Sequence, residues 1–353
     1  MRVVVAMSGG VDSAVAAARC VAAGHDVVGL SLRLAPDGDG SCCSLDDFHD
    51  ARAVADRLGF PHYVLDMREA FAAHVVRPFV EEYLAGRTPN PCARCNQHLK
   101  FGLLRRRARE LGASQLATGH YARVAVDPGT GRASLRTAVD TDKDQTYFLF
   151  MLRASDLAQT LFPVGEMTKA EVRAAAADLH LPVATKPESM EVCFVPGGDT
   201  AGFVERHAPA GTLRPGPICD EDGRQIGRHG GVHRFTIGQR RGLGLAGGPR
   251  RYVAGIDAAA GTVRVADASR LRADGVVVHG LSWVDDAPLP GTEVALRIRH
   301  RHPLIPARVL SASGEAAAVA FVEGGPAVTP GQAAVFYRGE VVLGGGWIAE
   351  ALA

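Results

Sequence analysis

The chain lacks what would tie it to a membrane, to a highly charged partner or to a disulfide framework. No apolar run in its 353 residues approaches the roughly 18 needed to span a bilayer. The opening run Val3-Val4-Val5-Ala6-Met7 is broken at once by Ser8-Gly9-Gly10 and Asp12. No membrane partner is therefore expected, and a cytoplasmic protein is. Net charge is nearly absent: 39 Lys and Arg against 38 Asp and Glu leave +1, so nucleic acid could be attracted only by local patches. The seven cysteines are few and odd in number, which argues for reduced thiols rather than structural disulfides. A second ligand pair at the Cys-x-x-Cys spacing is missing, so Cys92 and Cys95 make at most half of a zinc site. Internal repeats and low-complexity tracts are missing too. So is the Gly-Lys-Ser/Thr that completes the commoner P-loop.

What is present suits a folded protein of two or three domains, with 47% hydrophobic and 22% charged residues. The first third alternates strand and helix patterns. A strand over Arg2–Met7 leads to a helix from about Asp12 to Ala23, stopped by Gly24, and a second strand covers Asp26–Leu34. A glycine- and serine-rich loop from Pro36 to Cys43 follows. Ser44 and Asp47 then open a helix in the manner of a capping box, with Ala51, Val54, Ala55 and Leu58 on one face. A strand at His62–Met67, a helical stretch around Phe71, Val75 and Phe79, an amphipathic helix through Phe101, Leu104 and Ala108, and a strand at Ser114–His120 continue the pattern. Thr168 and Glu171 cap a further helix. Such alternation predicts an α/β fold with a doubly wound parallel sheet. From about Gly197 helical periodicity fades, and short β runs at Val232–Ile237, Tyr252–Ile256 and Thr262–Ala266 predict a small β-rich domain. Six further runs between Val276 and Leu343 predict an antiparallel barrel or sandwich. The expected division is 1–196, 197–273 and 274–353.

Ligands of such sheets bind beyond the carboxyl ends of the strands, where Ser8-Gly9-Gly10-Val11-Asp12-Ser13 lies. A strand–turn–helix of this kind gathers backbone N–H groups around one anion site. The glycines permit close approach, Ser8 and Ser13 offer hydroxyls, and Asp12 can help organise Mg²⁺. With no lysine of its own, the turn suits a pyrophosphate unit, which makes the α-phosphate the reacting centre. The turn resembles the PP-loop of ATP pyrophosphatases, enzymes that join AMP to a substrate oxygen and release pyrophosphate.

Further motifs narrow the resemblance: Gly86-Arg87-Thr88-Pro89-Asn90-Pro91 with Cys95-Asn96, Ala117-Thr118-Gly119-His120-Tyr121, Asp142-Lys143-Asp144-Gln145 with Tyr147-Phe148-Leu149, Phe162-Pro163-Val164-Gly165, Cys193-Phe194, Thr236-Ile237-Gly238-Gln239-Arg240, and Thr329-Pro330-Gly331-Gln332 with Ala334-Val335-Phe336-Tyr337. Spread over nearly the whole chain, they resemble the bacterial tRNA-specific 2-thiouridylases, which replace the C2 oxygen of the wobble uridine with sulfur. The resemblance implies an adenine nucleotide hydrolase-like PP-loop domain, a β-rich middle domain and a C-terminal β-barrel, the last two binding tRNA. It implies ATP contacts at Ala6, Met7, Ser8, Gly9, Gly10, Val11, Asp12, Ser13, Leu32 and Gly119. Cys193 would carry a persulfide and Cys95 would be the second catalytic thiol, leaving a transient Cys95–Cys193 disulfide for cellular thiols to reduce. Asn90, Pro91, Cys92, His120, Lys143, Asp144, Gln145, Arg299, His300 and Gln332 would meet tRNA. The partners implied are tRNA and a cysteine desulfurase or sulfur-relay protein; the cofactors are ATP and Mg²⁺.

Two positions depart from the family pattern: Cys92 where Asp is common, and Glu191-Val192 where Gly-Ile is. The first creates a Cys-x-x-Cys that, with Cys193, could supply three ligands to a 4Fe–4S cluster, an alternative to the persulfide route. Two other functions remain open, an amidotransferase-type PP-loop ligase and a non-catalytic nucleotide-binding redox sensor. Cys20, Cys42, Cys43 and Cys219 are expected to be incidental, on a helix, in a loop and in a turn. Arg105-Arg106-Arg107, Arg240-Arg241, Arg250-Arg251 and Arg297-Ile298-Arg299-His300-Arg301 are solvated faces or phosphate contacts for a large RNA.

Overall fold

The computed structural model describes residues 1–35, 44–188, 192–245 and 249–352. The loop residues 36–43, with Cys42 and Cys43, and the departure at Glu191 lie outside the described residues.

Five parallel strands form the first sheet in the order β3-β2-β1-β4-β7: β1 Arg2–Ala6, β2 Asp26–Arg33, β3 His62–Asp66, β4 Gln115–Thr118 and β7 Thr160–Leu161. Val3, Val4 and Val5 are wholly buried because both faces of β1 are covered, as continuous apolar runs in parallel sheets require. Val3 and Val5 pack with helices α1 (Val11–Ala22) and α2 (Leu45–Leu58) and with the Lys169–Asp178 helix. Val4, Leu30 and Leu32 face the opposite core, built on helices 68–84 and 91–110. The doubly wound expectation is met. Both expected capping boxes form, Ser44 with Asp47 and Thr168 with Glu171, and Gly59 ends α2 in the left-handed conformation at φ 77°. The two long helices on the second face share a feature that periodicity did not foretell, a π-helical stretch at Ala72–Val76 in one and Asn96–Leu104 in the other.

The β-rich stretch forms a four-stranded sheet, order β10-β11-β8-β9, from β8 Gly216–Cys219, β9 Gln225–His229, β10 Tyr252–Asp257 and β11 Thr262–Ala266. Val232–Ile237 is not a strand, contrary to the expectation. Its Val232–Arg234 part is a 3₁₀ turn, and Val232 and Phe235 reach the core from there. Cys219, expected in a turn, ends β8.

The C-terminal stretch closes into a six-stranded antiparallel barrel: β12 Ala273–Trp283, β13 Glu293–Arg297, β14 Ile305–Ala312, β15 Ala316–Gly325, β16 Ala333–Arg338 and β17 Val341–Leu352, sealed by β12–β17 pairing. A hairpin that follows β4, β5 Arg123–Val126 and β6 Ala133–Arg136, extends the barrel sheet by pairing Leu135 and Arg136 with Val342 and Val341 of β17. Tyr147, Leu149 and Leu152 share a core with Val335 and Tyr337 of β16, and Phe150 meets Trp347 edge-on at 5.5 Å. The N-terminal unit and the barrel are thus joined by both backbone pairing and apolar packing. Among the described residues no helix is long and apolar enough to cross a membrane.

Candidate active site

The Met7–Gly10 turn lies where β1 ends and α1 begins. Met7 N donates to the Leu30 carbonyl at 2.8 Å, carrying the β1–β2 ladder to the lip of the turn. Gly9 has φ +70°, and a Cβ there would fall 2.3 Å from the Asp47 carbonyl oxygen, so glycine is required on both counts. Gly10 caps α1 with no side-chain bond, leaving first-turn N–H groups for an anion. Ser13 Oγ donates to the Gly10 carbonyl at 3.0 Å and accepts from Ser8 N at 3.2 Å, which fixes the bend. Gly119, beyond β4, touches the same bend: its Cβ would lie 2.6 Å from Ser13 N and 2.7 Å from Asp12 C.

A cavity of about 260 Å³ opens beside this turn. Ala6, Met7, Ser8, Asp12, Ser13, Leu32 and Gly119 of the expected nucleotide contacts line it, together with Leu30 and Leu34. Cys95 and Cys193 line it as well. The structure therefore brings the sulfur chemistry and the phosphate turn to one chamber. Gly9, Gly10 and Val11 belong to the turn without lining the cavity.

The Cys95 and Cys92 thiols are held protonated at neutral pH. Burial, then the neighbouring Cys193 and Cys92, push the Cys95 thiol up to about 12, opposed by Lys100. Cys92 has solvent access yet dense surroundings, and desolvation followed by Cys193 raises it to about 11. Cys92 does not line the cavity, and among the described residues no three Cys, His, Asp or Glu side chains are gathered closely enough to hold a metal. As arranged here, the three cysteines do not form a ready cluster site. Cys20 is buried in α1, its thiol pushed up to about 11 by burial.

Sequence reasoning named Lys143 as an RNA contact but missed the other three lysines. The chain has only four, against 35 arginines, and all four border this site. Lys169 bonds Asp12 Oδ1 and Glu188 Oε1, both at 2.7 Å. Lys143 reaches Glu188 Oε2 at 2.7 Å, and Lys186 reaches Asp47 of α2 at 2.7 Å and also Asp50. Burial would raise the Glu188 carboxyl, but the bonds from Lys143 and Lys169 prevail and hold it at about 2. Tyr121 Oη donates to Asp12 Oδ1 at 2.8 Å. The turn itself lacks a lysine, yet its aspartate is already paired to one. Scarcity of lysine was the available signal.

Lys100 lines the cavity and comes from helix 91–110. In an α-helix, the fifth residue after Cys95 would point about 140° away from it. The π-helical stretch closes its turns at the fifth residue and carries Lys100 round to the cavity. Gly102 is its sequence trace, with a Cβ position 3.0 Å from the Gln97 carbonyl. His120 also lines the cavity, with Nδ1 2.8 Å from Thr118 Oγ1; burial first and Lys100 second push it well below the ordinary histidine range, so it is neutral.

The expected RNA contacts fall into three groups. His120 and Gln145 face the cavity, Gln145 Oε1 accepting from Tyr121 N at 3.0 Å. Cys92 and His300 are exposed, with the His300 ring 4.6 Å from that of Phe148 and tilted 41° to it. The others are engaged within the protein. Asn90 is buried and caps helix 91–110 through Ala93 N, with Pro91 in the first turn. Asp144 is buried, bonded to Thr146 Oγ1 and, at 2.7 Å, to Arg297 of the barrel, so it is not open to an RNA in this state. Arg299 donates to the Ala327 carbonyl and to Thr329. Gln332 Nε2 donates to the carbonyls of Thr88 and Pro89, each at 3.0 Å, and its Oε1 accepts from Tyr147. Arg105, expected on a solvated face, is buried and paired with Asp156 and Thr160 because it packs beneath β7. Arg240, Arg241 and Arg250 are exposed.

A parallel sheet with a lysine-free phosphate turn and an adjoining thiol-lined chamber defines a PP-loop nucleotide-dependent enzyme. The comparisons carry this further. Residues 1–197 match the profile described as tRNA methyl transferase HUP domain, residues 201–267 its PRC-barrel domain, and residues 273–348 the aminomethyltransferase β-barrel domain. The chain is 49% identical over 360 residues to the tRNA-specific 2-thiouridylase MnmA of Geotalea uraniireducens, covering 99% of this chain and 96% of the relative. It is 51% identical to that of Sorangium cellulosum, covering 99% and 93%. Among solved structures, the U34-tRNA thiolase NcsA from Methanococcus maripaludis overlaps 58% of this chain and 63% of its own, at 16% identity and TM-score 0.37, a distant likeness. The chain belongs to the tRNA-specific 2-thiouridylase family, and is a sulfur-transferring enzyme of tRNA modification.

Proposed function

We propose that the protein activates the C2 oxygen of the wobble uridine of tRNA with ATP and replaces it with sulfur delivered through Cys193 and Cys95. The observation that supports this reading is the single cavity lined by the phosphate turn and both cysteines. The uracil oxygen attacks the α-phosphorus, forming an O–P bond as pyrophosphate leaves onto the turn. A persulfide sulfur on Cys193 bonds to C2, and AMP departs with the oxygen. Cys95, as thiolate, then attacks the Cys193 sulfur. The S–S bond breaks with its electron pair going to the sulfur on C2, leaving 2-thiouridine and a Cys95–Cys193 disulfide that an external thiol reduces.

Leu30, Leu32 and Leu34 give the adenine an apolar wall, and Gly119 keeps the turn in place. Mg²⁺ accompanying the triphosphate needs only one or two protein carboxylates. Asp12 suits that role, because Lys169 and Tyr121 both bond its Oδ1 and leave Oδ2. The ion would neutralise phosphate charge. The tRNA would lie across units 197–273 and 274–353, with Arg240, Arg241 and Arg250 on its phosphates and the target base flipped into the cavity. The persulfide would come from a cysteine desulfurase or sulfur-relay protein in the cytoplasm.

The test is tRNA-dependent pyrophosphate release together with 2-thiouridine formation. C95S and C193S should each abolish thiolation while ATP still binds. Full thiolation by either variant refutes the sulfur assignment. Absence of tRNA-dependent pyrophosphate would instead favour a nucleotide-binding sensor.

A further inference from the structure

We propose that the Lys100 ammonium contacts the α-phosphoryl group of ATP, neutralising its charge as the uracil oxygen displaces pyrophosphate and again as AMP leaves. This rests on the ATP-dependent reading above and names a residue for its central step.

Three observations carry it. Of the four lysines, Lys143, Lys169 and Lys186 are bound to carboxylates, whereas no hydrogen bond or ion pair engages Lys100 among the described residues. An unpaired ammonium on a cavity wall is a strong anion ligand. Next, Lys100 is the one fixed positive charge among the described residues lining that cavity, since His120 is neutral and Asp12 is negative. Lastly, its position matches the reaction. The turn takes the two outer phosphates and the leucine wall takes the base, so the α-phosphorus lies between them. Sulfur must reach C2, which is joined through one oxygen to that phosphorus, so the phosphorus must sit close to the cysteines. Lys100 lines the chamber together with Cys95 from the same helix, five residues further on across the π-helical stretch, and its charge bears on the Cys95 thiol.

In the first step the O2–P bond forms and the bond to pyrophosphate breaks. In the second the C2–S bond forms and AMP leaves. Lys100 keeps its proton through both, stabilising negative charge that grows on the non-bridging oxygens.

The test is calorimetric titration of the full chain, wild type against K100M and K100R, with AMP, adenosine, pyrophosphate and the non-cleavable α,β-methylene ATP. K100M should lose about 10- to 100-fold in affinity for AMP and the ATP analogue, while adenosine and pyrophosphate bind within about twofold of wild type. K100R should recover part of the loss. If K100M keeps the wild-type ratio of AMP to adenosine affinity, or K100R fails as completely as K100M, the proposal is overturned. K100Q, checked by thermal unfolding, replaces K100M should methionine disturb the fold. A wild-type chain that binds neither AMP nor the analogue defeats the ATP reading itself, a separate outcome.

Discussion

Replacing Gly119 by alanine isolates the link between β4 and the phosphate turn. The added Cβ would sit 2.6 Å from Ser13 N, 2.7 Å from Asp12 C and 3.0 Å from Asp12 O, all backbone atoms at the start of α1. Ordinary contacts of this kind need about 3.5–4.0 Å, so either the strand end or the α1 terminus must shift by roughly 1 Å. Gly119 does not have a positive φ, so the cost is steric alone. Overpacking of this size costs about 1–3 kcal/mol. The free protein can relieve it by moving α1 away from β4, but nucleotide must then restore the turn, so the cost reappears as lost affinity. G119A should bind ATP about 5- to 150-fold more weakly. Calorimetry with ATP gives the affinity, and urea unfolding monitors the fold. Wild-type ATP affinity in a folded G119A protein would show that β4 does not set the turn's position.

Other expectations follow from the charges. D144N should lower unfolding stability by about 3–5 kcal/mol, because it leaves Arg297 facing a neutral amide in a buried setting; a denaturation midpoint equal to wild type would contradict this. Glu188 titrates near 2 rather than its ordinary 4.5, so its stabilising contribution is complete above about 4.5 and disappears as pH falls from there towards 2. The stability difference between wild type and E188Q should shrink across that window, and a constant difference would tell against the Lys143 and Lys169 pairing. The Cys95 thiol, held near 12, should alkylate about tenfold faster per pH unit up to pH 10; a plateau below pH 9, read on the Cys95 peptide by mass spectrometry, would mean a far more acidic thiol.

Much of the architecture was legible because local and global signals agreed. Val3–Val5 read as a buried strand, Ser44–Asp47 and Thr168–Glu171 as helix starts, and Ser8–Ser13 as a strand-to-helix turn, and each is what forms. The misses have physical causes. β5 and β6 are four residues each, too short for alternation to register, although Asp127 organises their turn by accepting from Gly129 and Thr130. Val232–Ile237 has apolar residues that reach the core from a 3₁₀ turn, so composition resembled a strand where backbone pairing did not follow. Lys100 escaped notice because α-helical phase directs it elsewhere, and only the π stretch reverses that. Asp144 and Gln332 carry motif identity, yet their bonding is set by segments far away in the chain, whereas Asn90 is spent locally as a helix cap.

The loop at residues 86–90 has a consequence of its own. Thr88 N donates to the Pro330 carbonyl at 2.9 Å, Thr88 Oγ1 bonds Thr236 Oγ1 at 3.0 Å, and Gln332 clasps the same loop from the barrel. Five residues thus serve as a keystone on which the nucleotide sheet, the middle sheet and the barrel all bear, and the helix that follows them presents Cys95 and Lys100. A distortion felt by either outlying module would be passed straight to the helix that holds the reactive sulfur. Residues 86–90 thus tether the helix carrying Cys95 and Lys100 to both outlying units at once.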